Sequence, residues 1–220
     1  AGYTGAGKTK ILHLLRQKGK QVIDLEQLAG HRGSLLGEIK NKKQPSQKQF
    51  EGNILSAIQK MSSAQHIFVE AESSTIGNLM LPAAFWKKLK SAPFIWLEVP
   101  LTSRSKFLLE EYAWLTEGAD TLKKLVELIK RKGNLKLAEL VADDINRCDW
   151  KSVAENLLSS YYDCRYKKSL QKSPALKIAE LYQDNCSDSA VNATADKIIS
   201  GNAGNTSATS KTIAIPQNTN

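Results

Sequence analysis

Apolar positions along this chain recur at helical spacing in some stretches and gather into short continuous runs in others. Ile11, Leu12, Leu14 and Leu15 recur at helical spacing within Lys8 to Lys18, and Gly19 follows as a stop. The apolar runs Gln21 to Leu25, His66 to Ala71 and Phe94 to Val99 are short and read as buried strands. Between the first two, after a Gly-rich loop, Phe50, Ile54, Ile58 and Met61 predict a helix over Ser46 to Met61. Pro82 suits the first turn of a helix to Lys90, and Thr102 predicts the cap of another that carries Phe107, Leu108, Tyr112 and Leu115 inward. Strand alternating with helix predicts an α/β fold built on a parallel sheet.

A helical block is expected at about 119–166. Leu122, Leu125, Val126 and Ile129 share one stripe, Gly133 breaks the chain, and Asp149 caps a helix with Trp150, Val153, Leu157 and Tyr161. Three helices are predicted there. Leu176 to Tyr182 returns as a last strand, and Ser187 starts a helix to Ile199. One folded domain thus spans 1–200. The stretch 201–220, rich in Asn, Ser, Thr and Gly, buries too little apolar area to offset its ordering entropy and is expected to be disordered. No internal repeat interrupts this order.

Composition adds constraints. With 220 residues, 41% of them hydrophobic and 24% charged, the chain suits one good core. No stretch approaches the roughly 18 apolar residues of a membrane span, and no secretory leader pattern opens the chain, so the cytoplasm is the expected location. Cys148, Cys164 and Cys186 lie far apart without a CxxC pair, which reads as reduced thiols. A net charge of +9 favours an anionic partner. Lys123, Lys124, Lys130, Arg131 and Lys132 cluster on one predicted helix, where a solvated face and a polyanion-binding face fit equally.

The chemistry is concentrated in GYTGAGKT, Gly2 to Thr9, which satisfies G-x-x-x-x-G-K-[ST] and runs into an amphipathic helix. Gly2, Gly5, Ala6 and Gly7 offer backbone N–H groups to phosphate oxygens, Lys8 supplies positive charge, and the Thr9 hydroxyl suits Mg2+. The fold class is therefore a P-loop NTPase-like parallel sheet with an added helical block. Such a loop hangs from a buried strand, and with only Ala1 ahead of Gly2 that first strand is expected to be missing from this chain.

Further candidates close the predicted strands. Glu70 and Glu72 stand where a metal-organising carboxylate belongs, and Thr9 and Glu70 are the metal candidates; a strand cap or a lysine partner is the plainer reading. Asp24 and Glu26 end another strand, and His31, Arg32 and Ser34 follow. Arg32 suits bidentate phosphate contact, and His31 could donate a hydrogen bond or move a proton, unless it is structural. Arg104 opens a helix from which it could reach an anion, or it forms an ion pair. No Ser/His/Asp order, HExxH or paired-cysteine spacing appears. On the residues alone, an ATP- or GTP-dependent small-molecule kinase and an NTP-hydrolysing switch are both open.

The order DLE at Asp24, HRGS at His31, QPSQKQFE at Gln44, EAES at Glu70, IG at Ile76 and YYDxxY at Tyr161 resembles one family. It is similar to the C-terminal P-loop part of bacterial tRNA 2-selenouridine synthases, from Gly2 to about Tyr166. The resemblance implies exchange of sulfur for selenium in 2-thiouridine at the tRNA wobble position. It implies two steps, S-geranylation by geranyl diphosphate and then selenium transfer from selenophosphate. Gly2, Gly5, Ala6, Gly7, Lys8, Thr9, Asp24, Ser34 and Arg104 would then hold the diphosphate, with Lys8, His31, Arg32, Glu70 and Glu72 as catalytic candidates. Members of the family carry an N-terminal rhodanese-like domain with a selenium-carrying cysteine, expected to be absent from this chain. Two departures stand out: Cys164 within YYDCRY, where the family more usually has proline, and Leu35-Leu36 in place of a small residue and Phe. A kinase or NTPase, and a non-catalytic tRNA-docking module using the lysine-rich helices, remain the alternatives.

Overall fold

Leaving the loop, Lys8–Gln17 forms helix α1, which buries Ile11, Leu12 and Leu15, the stripe its periodicity marks. This computed structural model describes residues 1–34, 37–39, 42–71, 73–112 and 119–201, with backbone alone at 119–121. The predicted tail from 202 onward, Leu35, Leu36, Glu72 and Leu115 lie outside the described residues.

Strand β1 (Gln21–Ile23) is shorter than its apolar run, because Asp24 leaves the strand to cap helix α2 (Leu25–Ala29). The Asp24 carboxylate accepts the Gln27 amide at 2.8 Å, and Gly30 ends α2 in the left-handed region at φ 62°. The stretch expected to be only loop therefore begins with a helix. Helix α3 (Gln47–Gln59) is capped by Ser46 and buries Phe50 and Ile54, but Ile58, predicted inward, is 37% exposed. Strand β2 (Ile67–Val69) pairs with β1 in parallel, Gln21 opposite Ile67 through Ile23 opposite Val69.

The sequence pattern missed an antiparallel hairpin of β3 (Thr75–Ile76) and β4 (Leu79–Met80), whose strands are too short to carry a period. Gln44 pins it: its amide donates to the carbonyls of Ala29 at 3.1 Å and Ile76 at 3.0 Å and accepts the Asn78 N–H at 2.8 Å. Gln47 donates to the Met80 carbonyl and accepts its N–H. A Cβ on Gly77, at φ 60°, would run into the Gln44 amide. Most of the QPSQKQFE segment is thus spent on architecture, with Gln44 and Gln47 as pins, Ser46 as cap and Phe50 as core.

Helix α4 (Ala83–Ser91) follows Pro82, and strand β5 (Phe94–Glu98) leads to helix α5 (Leu101–Glu111). Pro100 stands at the N-cap of α5, so Thr102 lies inside the helix rather than capping it. The buried residues of α5 are Arg104 and Ser105, which no hydropathy pattern marks. Helices α6 (Ala119–Arg131), α7 (Leu135–Asn146) and α8 (Trp150–Leu157) form the expected block. Asp149 caps α8 as predicted, and hydrogen bonds from the Ser152 hydroxyl and then its amide hold the Asp149 carboxyl below its ordinary value. The last predicted helix continues beyond α8 through a π-helical turn, Leu158–Asp163, into α9 (Cys164–Gln171). Strand β6 (Lys177–Tyr182) pairs with β5, and helix α10 (Asp188–Ile199) closes the order. Phe94 N–H meets the Leu176 carbonyl and Gln183 N–H meets the Glu98 carbonyl, so β5 and β6 run parallel.

The chain packs as two compact units. One comprises Ala1–Lys8, Trp96–Pro174 and Leu181–Thr194; in it α7 packs on α6 and α8, and α8 also on α5. The other comprises Thr9–Ile95, Ala175–Glu180 and the stretch from Ala195. Its core gathers Ile23, Leu25, Ala29, Phe50, Ile54, Ile76, Leu79 and Leu81. No helix among the described residues is long and apolar enough to cross a membrane.

Candidate phosphate-binding site

The Gly2–Thr9 loop, the candidate phosphate loop, is entered alongside β5. Leu97 N–H donates to the Ala1 carbonyl at 2.9 Å, and Gly2 forms a parallel bridge with Leu97. The turn is closed by Ala6 N–H on the Tyr3 carbonyl at 3.2 Å, and the Lys8 ammonium donates to the same carbonyl at 3.1 Å. Gly5 sits at φ 81°, where a Cβ would stand 3.0 Å from the Arg104 carbonyl oxygen, so only glycine fits. Ala6 is packed with Val99, Cys186 and Phe107. The Cys186 thiol donates to the Gly5 carbonyl at 3.4 Å.

Arg104 is fixed beneath this loop rather than offered to solvent. Its guanidinium makes a two-point contact with Asp163, 3.0 Å to Oδ1 and 2.8 Å to Oδ2, and donates to the carbonyls of Thr4 and Val99 at 3.1 Å each. It also lies 5.0 Å from the Tyr3 ring centroid. Of the two readings of Arg104, anion contact or ion pair, the structure shows the ion pair, buried rather than at the surface, with the guanidinium also on loop backbone. The sequence pattern did not mark Asp163 as its partner, nor Tyr166, whose hydroxyl accepts the Gly2 N–H at 3.4 Å. Their spacing of three within YYDxxY, which puts both on one side of a helix, was the available signal.

Thr9 and Glu70, both in the unit that starts at Thr9, form a pair of their own. The Thr9 hydroxyl donates to Glu70 Oε2 at 2.9 Å, and Glu70, just after β2, is buried at 8% exposure. Two hard oxygen groups at this distance fit Mg2+, which keeps most of its water and uses few protein ligands. Among the described residues no group of three or more His, Cys, Asp or Glu side chains could hold a metal ion. Glu72 lies outside the described residues.

The remaining candidates surround α2. Both Asp24 oxygens are engaged inside the protein, one on the Gln27 amide and the other 2.8 Å from His13 Nε2, a partner that the sequence pattern does not mark. Asp24 thus fixes the start of α2 and ties it to His13 of α1. His31 is buried, and its Nδ1 accepts the Gly33 N–H at 3.0 Å, which puts the neutral ring's proton on Nε2. Burial lowers the His31 pKa below its ordinary 6.5, opposed in part by the Glu38 carboxylate. A Cβ on Gly37 would stand 2.6 Å from His31 Cε1, so this ring requires glycine as its neighbour. Arg32 is exposed, its amide bonded to the Gly37 carbonyl at 2.8 Å, and Ser34 N–H closes onto the Arg32 carbonyl at 2.8 Å. HRGS is a tight turn with its backbone internally bonded.

A family model described as tRNA 2-selenouridine synthase AAA domain matches residues 1–195. The tRNA 2-selenouridine synthase of Shewanella frigidimarina is 34% identical over 203 residues, covering 78% of this chain and 53% of that protein. That of Bdellovibrio bacteriovorus is 32% identical over 211 residues, covering 78% and 55%. The Shewanella halifaxensis protein is 42% identical over 114 residues, 51% of this chain and 30% of that one. The chain spans about half the length of the first two of these relatives. No solved structure matches. With the loop, Thr9, Glu70 and the Arg104–Asp163 pair all inside residues 1–195, the chain belongs to the tRNA 2-selenouridine synthase family, matching its AAA domain.

Proposed function

We propose that this chain is the phosphate-loop part of a cytoplasmic enzyme that converts wobble 2-thiouridine of tRNA to 2-selenouridine through an S-geranyl intermediate. The observation that carries the reading is the family match across residues 1–195, which contains the whole loop motif.

In the first step the thiouridine sulfur attacks C1 of geranyl diphosphate. A C–S bond forms, the C–O bond breaks, diphosphate leaves with the electron pair, and the base loses a proton. In the second, selenium from selenophosphate attacks C2 of the base, the alkylated sulfur leaves as geranyl thiol, and water takes the phosphoryl group. Alkylation turns the sulfur into a competent leaving group, which gives the order its chemical sense. Gly2, Gly5, Ala6, Gly7 and Lys8 would stabilise the departing diphosphate, with Arg32 and Ser34 as further donors. Thr9 and Glu70 would hold Mg2+, which would supply charge neutralisation on the phosphates. Neutral His31, with its proton on Nε2, would serve as a hydrogen-bond donor. The net charge of +9 suits a tRNA partner, whose binding should weaken steeply with salt.

The test is Lys8→Ala in the protein as it occurs, assayed for geranylation of thiolated tRNA. Loss of geranylation with folding retained is expected, and unchanged geranylation overturns the reading. The Thr9–Glu70 pair also suits a nucleotide with Mg2+. That second reading is selected if ATP or GTP is turned over and geranyl diphosphate has no effect.

A further inference from the structure

The YYDxxY segment, Tyr161 to Tyr166, has no place in the proposed reaction, yet it touches the phosphate loop twice. The π-helical turn Leu158–Asp163 adds a residue to the helical turn and so rotates α9 relative to α8. Asp163 at its end grips the Arg104 guanidinium, and the same guanidinium bonds the Thr4 carbonyl at 3.1 Å. Three residues on, Tyr166 accepts the Gly2 N–H at 3.4 Å. Its ring centroid lies 5.9 Å from those of Tyr3 and Trp96, which are themselves edge-on at 5.0 Å. Residues 2 to 4 of the loop are therefore held from one helical segment.

We propose that Asp163 and Tyr166 are positioning residues that preset the phosphate loop for a diphosphate, Asp163 through Arg104 and Tyr166 through Gly2. The inference rests on the reading of the loop as a diphosphate site. Its sign is distinctive. Asp163 is an anion close to an anion site, so electrostatics alone predicts that removing its charge tightens ligand binding. Preorganisation predicts the reverse, because a loop released from Arg104 must be ordered again by each ligand.

The experiment titrates this chain, Asp163→Asn and Tyr166→Phe with inorganic pyrophosphate and with geranyl diphosphate by calorimetry, at a temperature where circular dichroism shows each variant folded. Asp163→Asn is expected to bind both ligands about tenfold more weakly and Tyr166→Phe about threefold, with the ratio between the two ligands unchanged. Unchanged or tighter binding by folded Asp163→Asn overturns the proposal, as does a lowered unfolding midpoint with full affinity in the folded protein. If Asp163→Asn does not fold, Tyr166→Phe decides: full affinity overturns the proposal. A changed ligand ratio also overturns it, since Tyr166 would then touch the prenyl chain itself. Wild-type protein that takes neither ligand overturns the diphosphate reading and this inference together; wild-type binding with unaffected variants overturns this inference alone.

Discussion

Arg104 and Asp163 meet through two hydrogen bonds, 3.0 and 2.8 Å long, with side chains only 5% and 12% exposed. The pair gains from bidentate geometry, and each partner is costly to leave alone in so dry a place. Arg104 also bonds two carbonyls and lies against Tyr3, so lysine, with no planar fork, cannot replace it.

Arg104→Ala is therefore expected to lower unfolding free energy by about 3–5 kcal/mol in urea titration. Adding Asp163→Ala should cost less than the sum of the single changes, because the stranded carboxylate is then removed as well. Additive losses would show that the two groups are not coupled.

Thr9 and Glu70 provide a prediction about metal. Their 2.9 Å hydrogen bond places a hydroxyl beside a carboxylate, and Mg2+ would draw on both oxygens. Glu70→Gln keeps the shape but removes the charge. It is expected to abolish most of the Mg2+-dependent gain in pyrophosphate affinity while leaving metal-free binding within about threefold of wild type. A full Mg2+ response in Glu70→Gln would remove Glu70 from the metal site.

How legible these features were depended on whether a local pattern carried them. The helix after Gly2–Thr9 was readable because its apolar positions recur at helical spacing, and the strands because short apolar runs bounded by polar or turn residues mark them. The hairpin Thr75–Met80 was not, since two-residue strands are too short to carry a period. Asp24 read as a strand end, whereas it caps a helix only five residues long and contacts His13, eleven positions away. Arg104 read equally as an anion ligand or as half of an ion pair; the pair forms, but its partner Asp163 stands 59 residues downstream and nothing local to either residue names it. Motifs that mark the family are in part architectural: Gln44 and Gln47 identify it while holding backbone.

His31 makes the chain's stability depend on pH with a definite sign. Burial depresses its pKa below 6.5, so between 6.5 and the lowered value the unfolded chain takes a proton that the folded chain refuses. Its contribution is fully present above about 6.5 and is lost as pH falls below that. His31→Gln keeps an acceptor for the Gly33 amide but cannot titrate. The stability of wild type relative to this variant should shrink on acidification from about pH 7.5 to about pH 5.5 in chemical denaturation. Growth of that difference on acidification would contradict the assignment.

The thiols offer a direct view of the loop. Cys148 and Cys164 are exposed, while Cys186 is buried with its thiol on the Gly5 carbonyl and the Gln183 amide 3.8 Å from its sulfur. A Cβ on Gly7 would stand 3.6 Å from the same sulfur, so a reagent can reach it only if this packing opens. Alkylation followed by mass spectrometry should therefore modify Cys148 and Cys164 quickly and Cys186 slowly. Inorganic pyrophosphate should slow Cys186 further and leave the other two unchanged, because a ligand that holds the loop closed reduces the open population in which the thiol reacts. If Cys186 reacts as fast as Cys148, the loop does not cover it; if all three slow together, pyrophosphate acts on the reagent rather than on the loop.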